Sequence, residues 1–216
     1  MKAAEKSLAI LRSSPEQATA SLASDSAQSD DLLRPVFMGC ATKNAKVVAI
    51  SLGSLQRLIA LKAVPQSAVA LIHLSDNPSK ALLLCFKLQD SRIAVVSSTA
   101  AATLRQLVMF IFEKMVQEDR LDSDDSVELS EARLPDGTTR ALGPCAKDAF
   151  SVFEDLCLLA NSEKPHSLKL DYLHKTFALE LIESVLTNYH ELFRKASCSV
   201  TLSELLSHVL HSTLSF

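Results

Sequence analysis

Between residues 44 and 64 apolar side chains recur three and four apart. Val47, Val48, Leu52, Leu55, Leu58, Ile59 and Leu61 mark one side of a helix, and Lys46 and Arg57 lie on the polar side. That spacing predicts an amphipathic helix. Asn44 is placed to cap its first turn, because its short side-chain carbonyl can accept from amides that have no partner there. Val64 and Pro65 mark its end, since a residue before proline is pushed out of the helical region. Upstream, residues 2–12 read as the end of a helix with Ala3, Leu8 and Leu11 on one side. A second short helix starts near Pro15. Residues 24–31 form a polar loop, and residues 32–41 form a helix whose first turn accommodates Pro35.

Downstream, residues 66–74 and 79–89 read as two short helical stretches parted by the turn signal Asp76, Asn77, Pro78. Residues 91–118 are the longest periodic region, with Ile93, Val96, Leu104, Leu107, Val108, Ile111, Met115 and Val116 on its apolar side and a break expected at Ser97 and Ser98. The period is lost over 119–143. An acidic, polar run and a turn at Pro135, Asp136 and Gly137 predict an exposed, flexible linker there. Helices resume at 146–161, 168–190 and 200–214.

One stretch echoes another. Asn44, Ala45, Lys46, Val47 resembles Asp90, Ser91, Arg92, Ile93, and Leu55 to Ile59 resembles Leu104 to Val108. Spacings of this size are those of armadillo and HEAT arrays, in which each helical unit buries its apolar stripe only by stacking on a neighbour. Composition agrees. The chain has 216 residues, 48% of them apolar, with 4 Gly, 7 Pro and no Trp. The expected fold is all-α, a HEAT/armadillo-like helical solenoid. Its pieces are a helical domain at 1–118, the acidic linker at 119–143 and a second helical region at 144–216.

Cysteines 40, 85, 145, 157 and 198 are odd in number and include no Cys-x-x-Cys pair, so reduced, buried thiols in a cytosolic protein are expected. No apolar run reaches the roughly 18 residues of a membrane span. No secretory signal follows Met1, so any membrane contact is expected to be peripheral. Net charge is +4 over 1–118, −4 over 119–142 and −3 over 143–216. The positive part lacks the clustered basic stripe of a nucleic-acid binder.

Catalytic signals are weak. His208 and His211 share a helix face, but a zinc site needs further ligands and Cys198 is the only neighbour on offer. His166, His174 and His190 are scattered. Glu180 and Glu183 alternate with Leu and Ile as a solvated face, and Cys157 sits in an apolar run as a small core residue. Phosphate loops, nucleophile elbows and metalloprotease motifs are absent from the sequence. No enzyme activity, cofactor or metal is expected. The feature best suited to binding is a set of cations: Lys43, Lys46 and Arg57, with Arg92 and Arg105 in the echo. They would suit an acidic partner or anionic headgroups.

Three blocks carry a family resemblance. The first runs from Val36 through Val48 to Ile59. The second joins Ala81–Leu88, Thr99–Val108 and Phe112–Asp119. The third runs from Pro144 through Phe150 to Leu159 and resumes at Thr176–Leu186. Together they resemble the N-terminal region of the large Golgi Arf guanine-nucleotide-exchange factors, in particular the Mon-two branch. The resemblance implies a dimerisation and cyclophilin-binding domain followed by the start of the domain upstream of the exchange domain. It implies a non-enzymatic scaffold in Golgi–endosome traffic, cytoplasmic and peripheral on those membranes. Dopey-type proteins, Arf-like GTPases and a lipid flippase are its implied partners, and a homodimer its implied state. The alternative it leaves open is the regulatory arm of an active exchange factor. Two departures are expected: a missing helical pair between Val64 and Ala81, and unrelated sequence after Lys195. Both would fit a truncated, alternatively spliced or mis-assembled gene product.

Overall fold

The computed structural model describes residues 26–61, 79–121, 130–133, 139–168 and 173–193. The expected helices at 2–12, near Pro15, at 66–74 and at 200–214 lie outside them. Among the described residues the fold is all-α, consistent with a helical solenoid, apart from one small hairpin. It divides into two compact units, Met1–Leu107 and Val108–Phe216.

In the first unit, α1 (Ser26–Cys40) and α2 (Ala45–Ala60) pack on each other across a four-residue connection. Leu33, Val36 and Cys40 of α1 and Val48, Leu52, Leu55, Leu58 and Ile59 of α2 are buried. The seam is tight at Gly39: a Cβ there would lie 2.0 Å from the Ser51 hydroxyl oxygen and 3.0 Å from its Cβ. Asn44 caps α2 as expected, accepting from the amides of Lys46 at 3.0 Å and Val47 at 3.5 Å. The helix closes at Leu61, before Val64. The helix around Pro35 is longer than its sequence suggests. It begins at Ser26, inside the expected polar loop, so Pro35 falls in its interior rather than its first turn. Next comes α3 (Ser79–Gln89), which buries Leu82, Cys85 and Phe86.

α4 (Ala94–Leu121) begins in the first unit and ends in the second. No break occurs at Ser97 and Ser98. Their hydroxyls bond back to the carbonyls of Ala94 and Val95, which lets serine stay inside a helix. Ile93 precedes the helix and is exposed, whereas Val96, Leu104, Leu107, Val108, Ile111 and Met115 are buried as expected. The stretch Ala94–Arg120 is long and apolar enough, by length and composition alone, to cross a bilayer, which the sequence reading did not anticipate. Half of its most apolar window is buried inside the protein, as in a core helix.

In the second unit, β1 (Ser130–Arg133) and β2 (Thr139–Leu142) pair antiparallel, Ser130 opposite Leu142 and Arg133 opposite Thr139. The stretch expected to be an exposed, flexible linker holds a hairpin, and its first residues extend α4 to Leu121. α5 (Pro144–Ala160) follows, buried on almost every side. It ends in a Schellman turn: Glu163 donates to Leu158 and Ser162 to Leu159, with Ser162 at a φ of 61°. α6 (Lys175–Tyr189) starts later than the expected 168, and the short 3-10 helix His190–Phe193 continues it. Three aromatic rings join these helices. Phe112 of α4 meets Phe153 of α5 edge-on at 6.1 Å and stacks on Tyr189 of α6 at 5.8 Å. The Tyr189 hydroxyl donates to the Met109 carbonyl at 2.8 Å.

Candidate interaction surface

The outward side of the α1–α2 hairpin is unusual. Lys46, Val47, Ile50, Ser54, Arg57 and Leu61 are all exposed and recur at helical spacing, so they form one stripe along α2. Ile50 is 69% exposed and Leu61 64%. Lys43 in the connecting loop and Arg34 and Met38 of α1 are exposed as well. Between residues 32 and 75 the sequence contains no acidic side chain. Arg34, Lys43, Lys46 and Arg57 therefore set the sign of this face, and the apolar residues among them offer area that water would release.

Of the five expected cations, Lys43, Lys46 and Arg57 belong to this hairpin. Arg92 is exposed just before α4, beside Ile93 and Val95, which are 47% and 54% exposed. Arg105 does not join the set. It is half-buried on α4 and engaged in interactions of the fold. The echo explains why. Leu55, Leu58 and Ile59 match Leu104, Leu107 and Val108 in burial, and in that register Arg105 stands where α2 has the half-buried Gln56.

The second unit contains polar features that the sequence reading missed. Asp155 is fully buried, and its carboxylate accepts from the amides of His166 at 2.6 Å, Ser167 at 2.9 Å and Leu168. Burial raises its pKa, and the three amide bonds pull it back down. His166 Nδ1 lies 3.6 Å from the Glu154 carboxylate. Glu118 of α4 accepts from the amides of Cys145 at 3.0 Å and Ala146 at 2.8 Å. Asp148 is buried beside it, with Oδ1 unpartnered. One signal was available: Asp148, Val152, Asp155 and Leu159 recur at apolar-face spacing, which puts two acids where a core helix expects hydrocarbon.

Glu180 and Glu183 are exposed on α6, as a solvated face would be. Cys157 is buried, and burial pushes its thiol up to about 12. Cys85 is held at about 12 and Cys40 at about 11. Thiols so protonated are poor nucleophiles. His174 precedes α6, and His190 lies 3.4 Å from Glu191. Cys198, His208 and His211 lie outside the described residues. Among those described, no group of three or more metal-ligating side chains assembles. An open hollow of about 310 Å³ is lined by Asp119, Arg120, Tyr189 and Glu191 among others.

Two family models match the chain. The Mon2/Sec7/BIG1-like dimerisation and cyclophilin-binding domain matches residues 1–75 and 72–119. The two matches meet where the sequence suggested a missing helical pair. The Mon2/Sec7/BIG1-like HUS domain matches residues 145–215, so the sequence after Lys195 is not unrelated, contrary to expectation. The chain is 32% identical to the human "Protein MON2 homolog" over 89% of its own length and 13% of the relative's. It is 34% identical to the Xenopus laevis protein of the same name, over 76% of this chain and 12% of the relative. The Schizosaccharomyces pombe homologue is also 34% identical, over 80% of this chain and 9% of the relative. No solved structure matches.

Proposed function

We propose, from the premise that this chain belongs to the Mon2/Sec7/BIG1-like family, that it works by display as a non-enzymatic scaffold in Golgi–endosome traffic. The α2 stripe is its docking face on the cytosolic side of those membranes. One observation carries the reading: exposed Ile50 and Leu61 share a helix side with Lys46 and Arg57, on a stretch with no acid to neutralise it. Such a face matches an anionic partner surface in sign and offers apolar area for affinity. The match to a dimerisation domain supports self-association of the first helical region. Dopey-type proteins, Arf-like GTPases and a lipid flippase are the partner classes to test against the stripe.

The test is recruitment. A fluorescent form of the chain should concentrate on Golgi or endosomal membranes, and Lys43→Glu with Lys46→Glu should reduce that signal several-fold. Unchanged recruitment of the reversed protein would overturn the assignment to this face. The Sec7-like name of the second match favours one other reading, the regulatory arm of an Arf exchange factor. Adding the chain to an exchange reaction and following nucleotide release separates the two, because a pure scaffold leaves the rate unchanged.

A further inference from the structure

The end of α4 and the start of α5 are joined by a carboxylate that comes from far along the sequence. Glu118, 8% exposed, bonds the Cys145 amide through Oε1 and the Ala146 amide through Oε2. The seat is close-fitting: a Cβ on Gly143 would lie 2.5 Å from the Glu118 carboxylate carbon. Amides at a helix start lack partners within the helix, and the two carboxylate oxygens of Glu118 supply acceptors for two of them. Asp148, less than one turn further along α5, is 2% exposed, and its Oδ1 makes no hydrogen bond. Two carboxylates near each other in a dry site resist being ionised together.

The charges acting on Asp148 are Glu118, which opposes its ionisation, and Lys147, its neighbour in the chain, which favours it. Burial is the largest influence, and the carboxyl is raised to about 7. On the other elements packed against α5, Arg120 of α4, Glu131 of β1 and Lys175, Glu180 and Glu183 of α6 are exposed to solvent, and Glu113, Lys114 and Asp119 of α4 are half-buried.

We propose that Asp148 is a proton-operated latch on the Glu118 clasp. With Asp148 neutral, Glu118 stays on the Cys145 and Ala146 amides and ties α4 to α5. When Asp148 gives its proton to water, two buried anions face each other and the clasp opens. The sign follows from linkage. The folded value lies above the unfolded 3.8, so the native state keeps a proton that the unfolded chain has lost. The stability contributed here is therefore full below about pH 4, falls as pH rises, and is gone above about pH 7.

The test uses the whole chain. Carbon-13 NMR follows the Asp148 carboxyl, and hydrogen exchange follows the Cys145 and Ala146 amides against the Leu156 amide, from about pH 5.5 to about pH 8.5. The carboxyl should titrate near neutrality. Protection of the two amides, corrected for intrinsic exchange, should fall about tenfold in step with it. In Asp148→Asn, a permanently neutral side chain, that protection should stay flat. In Glu118→Gln the Asp148 midpoint should move down. An Asp148 midpoint below about pH 5, or the same loss of protection in Asp148→Asn, overturns the latch. If Asp148→Asn does not fold, the titration of the unsubstituted protein decides.

Discussion

Helices α2 and α5 break the inward-apolar, outward-polar rule in opposite directions. α2 turns Ile50 and Leu61 to water, while α5 draws Asp148 and Asp155 into the interior. The two departures have different physical meanings. Single apolar residues at a surface are ordinary, but here a stripe of them stands among cations on a stretch, 32–75, whose sequence holds no acid. A buried acid is costly unless amides or a proton neutralise it. Asp155 has three amides, and Asp148 has a carboxyl whose pKa burial raises to about 7. The outward departure is the one on which the proposed docking reading rests, and among the inward ones Asp155 binds the segment that follows α5.

That contrast can be broken most severely at the aromatic junction. Phe112→Ala removes both ring contacts from a fully buried site and should destabilise the protein by about 3–5 kcal/mol, measured by urea denaturation. Asp155→Ala comes next. It leaves three amides of residues 166–168 without an acceptor and should cost about 2–4 kcal/mol, with the Ser167 amide losing most of its exchange protection. Gly39→Ala tests the first unit. Overpacking the seam should cost about 1–2 kcal/mol net of the gain in helix propensity. Ser51→Gly in the same chain should recover part of that, because the whole obstructing side chain is gone. The smallest effect belongs to the display face: the Lys43→Glu, Lys46→Glu protein should unfold within about 0.5 kcal/mol of the parent while losing recruitment. A large stability loss in that variant would mean the stripe holds the fold together, and the contrast with α5 would fail.

The parts of the fold written in local pattern were readable in the sequence. Asn44 and the spacing of Val48, Leu52, Leu55 and Ile59 specify α2 without reference to anything outside it. Errors arose where local signals compete. Pro35 was placed in a first turn because Ser and Asp fill residues 24–31, yet those residues enter the helix from Ser26 onward. Ser97 and Ser98 looked like a break because free serine hydroxyls compete for backbone bonds, but here the hydroxyls bond within the helix. The hairpin has four-residue strands carrying Glu131, Arg133 and Arg140, too short and too charged to show alternation. Of the candidate cations, Lys46 and Arg57 lie on the exposed side of α2, where helix polarity puts them, and Lys43 is exposed in the loop before it. Arg105 was misplaced because a one-residue shift in the echo moves a side chain from open water to a half-buried flank. The Glu118 clasp joins positions 27 and 28 residues apart, and no neighbouring residue announces it.

The contact at Gly39 has a consequence for how this chain can vary. Any codon change that replaces this glycine installs a Cβ, and the Ser51 side chain already occupies that space. Most surface positions drift through a series of tolerated replacements. Position 39 has a narrower path: a side chain there must turn the Ser51 hydroxyl aside, and a smaller residue at 51 eases the change.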